Sequence, residues 1–357
     1  MKFFLRALKW LVGLAVLGIV LLLLPVGYVE TFCKANPEEQ SFRPLITEPE
    51  FQRAEANSYL TYPEWHIVYA YEGLAHVLAT DDEHAFGYLR SVTSFWSSFC
   101  ALNQQAGRHG GADGATRSTI HVIGVSFTLE MAMKAAYEET FGHLFALLRG
   151  PDKTPQDLYA ARMAEDYGRF LHQTPWYKYD FQSAIDGLWA EPADSLRGWE
   201  RRLALGGEWK AKVAYASAIA QAVMATGEAK LTIRSVVRGL PVTELSAIPD
   251  VTIIQETPAY LVIETPRYRA FTDILRQIVD RGGMVSEIAG NDDIMVSVVT
   301  ESADAKPVFD RAEVISRIHR DGFAGDRLLL KVKVADLAAL FAEVKAGQAT
   351  LEHVYDY

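Results

Sequence analysis

The first thirty residues constrain this chain more than any other stretch. From Trp10 to Val29 there is no charged side chain. An apolar helix of about 20 residues is long enough to cross the ~30 Å hydrocarbon layer of a bilayer. Lys2, Arg6 and Lys9 precede the stretch, and Trp10 and Tyr28 sit near its ends as interfacial aromatics do. A cleaved signal peptide has a shorter apolar core and small residues before the cut. Here the exit reads Pro25-Val-Gly-Tyr-Val-Glu-Thr-Phe-Cys33, without an A-x-A pattern. The reading is therefore an uncleaved transmembrane signal anchor over residues 1–30.

The cations before the span, against Lys34 and Arg43 after it, orient the N-terminus inside and the bulk of the chain outside. The Ala-rich composition and the lack of an N-x-S/T site suit a bacterial source. The expected location is the bacterial inner membrane, single-pass, with the C-terminal part periplasmic. Two cysteines exclude a disulfide scaffold and any multi-Cys zinc or iron–sulfur site. Outside the membrane Cys33 and Cys100 could be oxidised together; with Cys33 at the membrane exit and Cys100 on a predicted helix, two unpaired thiols are slightly favoured. A net charge of -10 argues against a nucleic-acid partner, which requires a positive field.

Residues 31–59 contain Pro37, Pro44 and Pro49 without periodicity and read as a linker. Helical signals fill an aromatic-rich domain over residues 60–228. Thr61 with Glu64, Thr80 with Glu83 and Thr154 with Asp157 have capping-box spacing and mark three helix starts. The Gly-rich stretch 106–118 lacks the Lys-Ser/Thr of a phosphate loop and reads as a surface loop. Ile120 to Leu129 is apolar nearly all round, which places it inside protein or lipid. Glu130 and Lys134 are i,i+4 and are expected to pair in the sector of the stripe Tyr137, Phe141, Leu144 and Leu148.

The pattern changes near residue 229. Alternation over 231–238, 251–256, 260–264, 284–289, 294–300, 328–334 and 350–357 predicts strands. Helical spacing predicts helices at 271–279 and 337–344, with a further short helix near 311–319. Gly290-Asn291-Asp292-Asp293 reads as the turn of a hairpin. The sum is an α+β chain: anchor, mainly α-helical domain, then a ferredoxin-like α+β domain over 229–357 built on a split βαβ. Its last strand, Thr350–Tyr357, is a candidate docking edge for a protein partner.

The chain has no HExxH, G-x-S-x-G, CxxC or Walker loop and no Gly-rich dinucleotide turn, so no cofactor is expected. Glu72 with His76 and Glu139 with His143 are i,i+4 pairs that only weakly resemble a metal set, since di-metal bundles use Glu-x-x-His. If the helical domain binds a membrane-associated ligand or substrate, Glu130, His121 and His143 are the acid–base candidates and Trp65 and Trp96 the apolar walls. The leading expectation is a membrane-anchored envelope protein acting by non-catalytic binding or assembly. The alternative is an enzyme or lipid binder with its site in the helical domain.

Overall fold

The computed structural model describes residues 2–39, 41–226 and 230–357. It is an α+β structure: a mainly helical N-terminal region followed by two four-stranded antiparallel sheets. The domain boundary expected at 228/229 lies outside the described residues. Helix α1 (Lys2–Phe32) contains the one described stretch long and apolar enough to cross a membrane, Lys9–Phe32.

The helical region continues with α2 (Ala56–Leu60), α3 (Tyr62–Thr80), α4 (Tyr88–Arg108), α5 (Gly114–Tyr137), a π turn (Glu138–Gly142), α6 (His143–Arg149), α7 (Pro155–Leu171), α8 (Phe181–Ala190) and α9 (Leu196–Thr226). Only one of the three expected capping boxes forms. Thr154 accepts from the Asp157 N–H and Asp157 reaches back to the Thr154 N–H. Thr61 is itself helical, because α2 runs into α3 without a fresh start. At the second, the 3-10 turn Glu83–Ala85 is capped by Asp82 backbone geometry, and Glu83 turns inward instead. The Gly-rich loop is shorter than expected. Asp113 caps α5 by accepting from the Ala115 and Thr116 N–H groups.

Cys33 and Cys100 are joined in a disulfide, which corrects the expectation of two free thiols. Their separation of 67 residues hides the pairing from a linear reading. The bond fixes the end of α1 to α4, and Asn103 adds a side-chain bond to the Cys33 carbonyl at 2.7 Å.

The second region holds β1 (Thr232–Arg238), α10 (Val242–Leu245), β2 (Thr252–Glu256), β3 (Leu261–Pro266), α11 (Arg269–Asp280) and β4 (Met284–Ile288). It continues with β5 (Asp293–Thr300), β6 (Ala312–His319), β7 (Asp326–Lys333), α12 (Leu337–Ala346) and β8 (Ala349–Tyr355). The sheets have strand orders β2-β3-β1-β4 and β6-β7-β5-β8. These are the same arrangement twice: three strands, a helix, and a fourth strand on the far side of the first. Each contains a split βαβ; the first also carries the four-residue α10 between its first two strands, and the second has no helix there among the described residues.

Two local expectations change with it. β4 and β5 join the two repeats and belong to different sheets, so Gly290–Asp293 is a hinge between sheets and not a hairpin turn. Residues 312–319 form an edge strand, whose exposure does not alternate because a bulge between Val314 and Ser316 breaks its register.

Strand alternation sends successive side chains to opposite faces. On β5, Ile294, Val296 and Val298 enter a core shared with Phe271 and Ile274 of α11 and Leu340 of α12. Met295 points the other way and joins Leu329 and Tyr355 in the core of the helical region, beside Trp65 and Tyr69 of α3. Helices and second sheet therefore share one apolar interior. The back of the first sheet is covered by the expected linker: Ile46 is buried on Val236 and Val262. The Leu45 and Ile46 N–H groups donate to the Glu287 carboxylate at 2.6 and 2.8 Å. The linker is a strap, not a free tether.

β8 is an edge strand, but its outer side is already occupied by α11. Thr272 Oγ1 accepts from the Val354 N–H at 2.9 Å, and Arg276 donates to the Leu351 carbonyl. A strand added there would first have to displace these bonds. A more exposed edge is β2, where Thr252, Ile254, Gln255 and Glu256 face solvent.

Candidate functional site

Most charges of α5 and α9 point inward. Arg201 is 1% exposed and its guanidinium meets Glu83, Glu138 and Glu200 at 2.8, 2.7 and 2.6 Å. Lys134 bridges Glu83 and Glu208 at 2.9 and 2.8 Å. Glu130 does not pair with Lys134, four residues along. It lies 2.9 Å from Lys212 of α9 and accepts from the Tyr71 hydroxyl. Arg197 extends the network to Asp157 and Glu200. Buried charges of this kind persist only when paired and hydrogen-bonded.

The pKa directions follow. Burial pushes Glu83 up, but Lys134 and Arg201 overcome it and hold the carboxyl down at about 2. Glu138 goes the other way: burial and the neighbouring Glu83 charge raise it to about 7 in spite of Arg201. Glu138 lies in the π turn, folded under Gly142. A Cβ at that glycine would come within 2.1 Å of Glu138 Oε2. π turns often mark functional positions. Here the turn delivers a carboxyl into a structural ion cluster.

The other candidate residues lie in separate places. Trp96 donates its Nε1–H to Thr128 at 2.9 Å and packs on Gly124 in the α4–α5 seam. His121 faces Glu30 at 3.4 Å, at the end of the apolar helix, and burial lowers its pKa. Trp65 packs at the joint with the second sheet, 3.9 Å between centroids from His353. His143 stacks on His84 at 4.1 Å, beside Asp81, while Glu139 is exposed. Glu72 and His76 line a different cleft. The two Glu–His pairs do not converge.

That cleft, about 750 Å³, lies between α3 and α7 and is closed at one end by Phe323 of the β6–β7 turn. His76 stacks on Phe323 at 4.4 Å. His172 reaches Glu72 at 3.9 Å, and burial lowers its pKa. Arg162, Glu165 and Arg169 supply the α7 wall. Behind His172 stand Trp65 and then His353, whose Nδ1 meets Thr272 at 3.1 Å and whose Nε2 is buried without a hydrogen bond. Burial holds His353 neutral, well below its ordinary range. The cleft offers cations, anions and an aromatic edge to a polar ligand. No sequence signal brings Glu72, His172 and Phe323 together, because the cleft is assembled from three distant segments.

Among the described residues one trio has metal-like spacing, Glu55, His109 and Asp293. Lys333 and Lys331 approach the same Asp293 carboxylate at 3.1 and 3.4 Å. The two ammonium groups already compensate the charge that a cation would take.

No family model matches the chain, and no characterised protein or solved structure was found to be similar to it.

Proposed function

We propose that this is a single-pass protein of the bacterial inner membrane whose folded part lies in the periplasm and acts by binding. The observation that carries the reading is the disulfide Cys33–Cys100 at the exit of the apolar helix. Disulfides persist in oxidising compartments, which agrees with the cations before the span. The acid–base candidate Glu130 is tied to Lys212 and Tyr71, which supports a structural role for it. The α3–α7 cleft favours a polar small molecule or peptide segment as ligand. A protein partner of the C-terminal part would meet β2, a more exposed edge, more readily than β8.

Expression in a bacterium tests the reading. A C-terminal alkaline phosphatase fusion is expected to be active, and both thiols to resist a membrane-impermeant maleimide until reduced. An inactive fusion with a fluorescent cytoplasmic counterpart overturns the orientation. Native mass spectrometry of full-length protein is expected to show a bound mass that Arg169→Ala and His76→Ala diminish. A bound mass indifferent to both substitutions moves the site elsewhere.

A further inference from the structure

On one face of the helical region charged groups are buried, as described for Glu83, Glu138 and Arg201, while apolar side chains of the same helices are exposed. On α5, the π turn and α6, the residues Val122, Leu129, Met133, Phe141, Leu144 and Leu147 are exposed, Met133 by 59% and Leu147 by 68%. Between Ser118 and Leu148, Glu139 is the one acid or base among the exposed residues. On α9, packed beside α6, Leu196, Trp199 and Leu203 are exposed while Arg197, Glu200 and Arg201 are buried. In water this arrangement is unfavourable on both counts: apolar area stays hydrated and charge is desolvated. Beside lipid it is the ordinary arrangement, with ionisable groups turned to the protein interior.

The anchor says what covers this face. Val29 is buried, and Leu22, Pro25 and Val26 are half-buried, within the apolar stretch itself. Val26 and Val125 of α5 pack on the same core, and Glu30 reaches Arg117 and His121 at the start of α5. From Leu22 to Val29 the helix rises ~10 Å. If Trp10–Val29 lies in hydrocarbon, the beginning of α5 sits beside its outer ~10 Å, at the depth where amphipathic helices settle. The exposed apolar strip starts there, one turn from Glu30.

We infer that the outer face of α5, α6 and the first half of α9 rests against the acyl chains of the same bilayer that α1 crosses. The inference depends on the anchored reading. The folded part is held against the membrane along this face.

The test uses the full chain in vesicles of phosphatidylethanolamine and phosphatidylglycerol, with a bimane probe at Leu147→Cys, Leu203→Cys, Leu17→Cys or Val308→Cys. Val308, 85% exposed on the sheet region, is the aqueous control. Each variant must keep the native disulfide, and Met133→Cys replaces any that does not. Probes at 147 and 203 are expected to lose intensity to brominated lipid and resist iodide, as at 17, with the reverse at 308. If position 17 responds to lipid but 147 and 203 respond to iodide, this inference falls and the anchor stands. If 147 and 203 are shielded from both quenchers, protein covers the face and the inference also falls. If position 17 itself responds to iodide, the anchored reading fails.

Discussion

Removing the Arg201 guanidinium is the sharpest probe of the buried ion cluster. Three carboxylates, Glu83, Glu138 and Glu200, lie within 2.8 Å of it. Arg201→Met keeps much of the volume and leaves them facing one another with only Lys134 and Arg197 nearby. Breaking a buried ion pair by removing one partner costs about 3–5 kcal/mol, a large share of the roughly 5–15 kcal/mol that a domain has. The penalty depends on pH. Glu138 rests at about 7 in the fold against an ordinary 4.5, so the folded state holds a proton that the unfolded chain releases earlier. Its stabilising effect is complete below the ordinary value and disappears as pH rises through about 7. Without Arg201 the carboxyls rise further, so the variant is most impaired at alkaline pH and partly recovers in mild acid. Adding Glu138→Gln to Arg201→Met is expected to recover stability above pH ~7. Denaturant melts of the full chain in mild detergent across this pH range read the effect. A penalty under about 1 kcal/mol, or one that is equal at both ends, refutes the assignment of these groups to a single buried cluster.

Three further outcomes follow from the same structure. Cys33→Ser removes a link across 67 residues and is expected to cost about 4 kcal/mol by loop entropy, read as a shift of the unfolding midpoint that reductant reproduces in the parent. Glu287→Ala removes the acceptor of the Leu45 and Ile46 N–H groups, at about 2 kcal/mol. Trypsin should then cut faster at Arg53, and unchanged cleavage would mean that the strap is held elsewhere. Glu130→Gln keeps a partner for Tyr71 but weakens the pair with Lys212, with an expected loss of about 1–2 kcal/mol in melts and no loss of ligand. Loss of ligand at unchanged stability would return Glu130 to a functional role.

Periodicity makes most elements legible before any fold is known. The helices at 271–279 and 337–344 and nearly all strands fall where alternation or helical spacing puts them, because each packs one face on a core. What periodicity does not encode is what lies opposite. The Gly290–Asp293 turn looks the same whether it closes a hairpin or joins two sheets. The stripe Phe141, Leu144 and Leu148 reads as a core face, because a helix's apolar side carries no mark of whether protein or lipid covers it. Glu130 and Lys134 have ideal pairing distance in sequence, yet each finds a better partner on another helix. The doubled strand order is hidden because the two halves keep their pattern but not their residues.

The Cys33–Cys100 bond also decides where a mechanical pull goes. Tension along α1 crosses the sulfurs directly into α4, whose Phe95, Phe99 and Leu102 are held in the interior. Residues 34–99, including the strap at Leu45 and Ile46, lie off that path and stay slack. Reduction would reroute the same tug through the strap and peel Ile46 from the back of the first sheet. A pull on α1 thus enters the helices first, and the strap bears none of it for as long as the bond is intact.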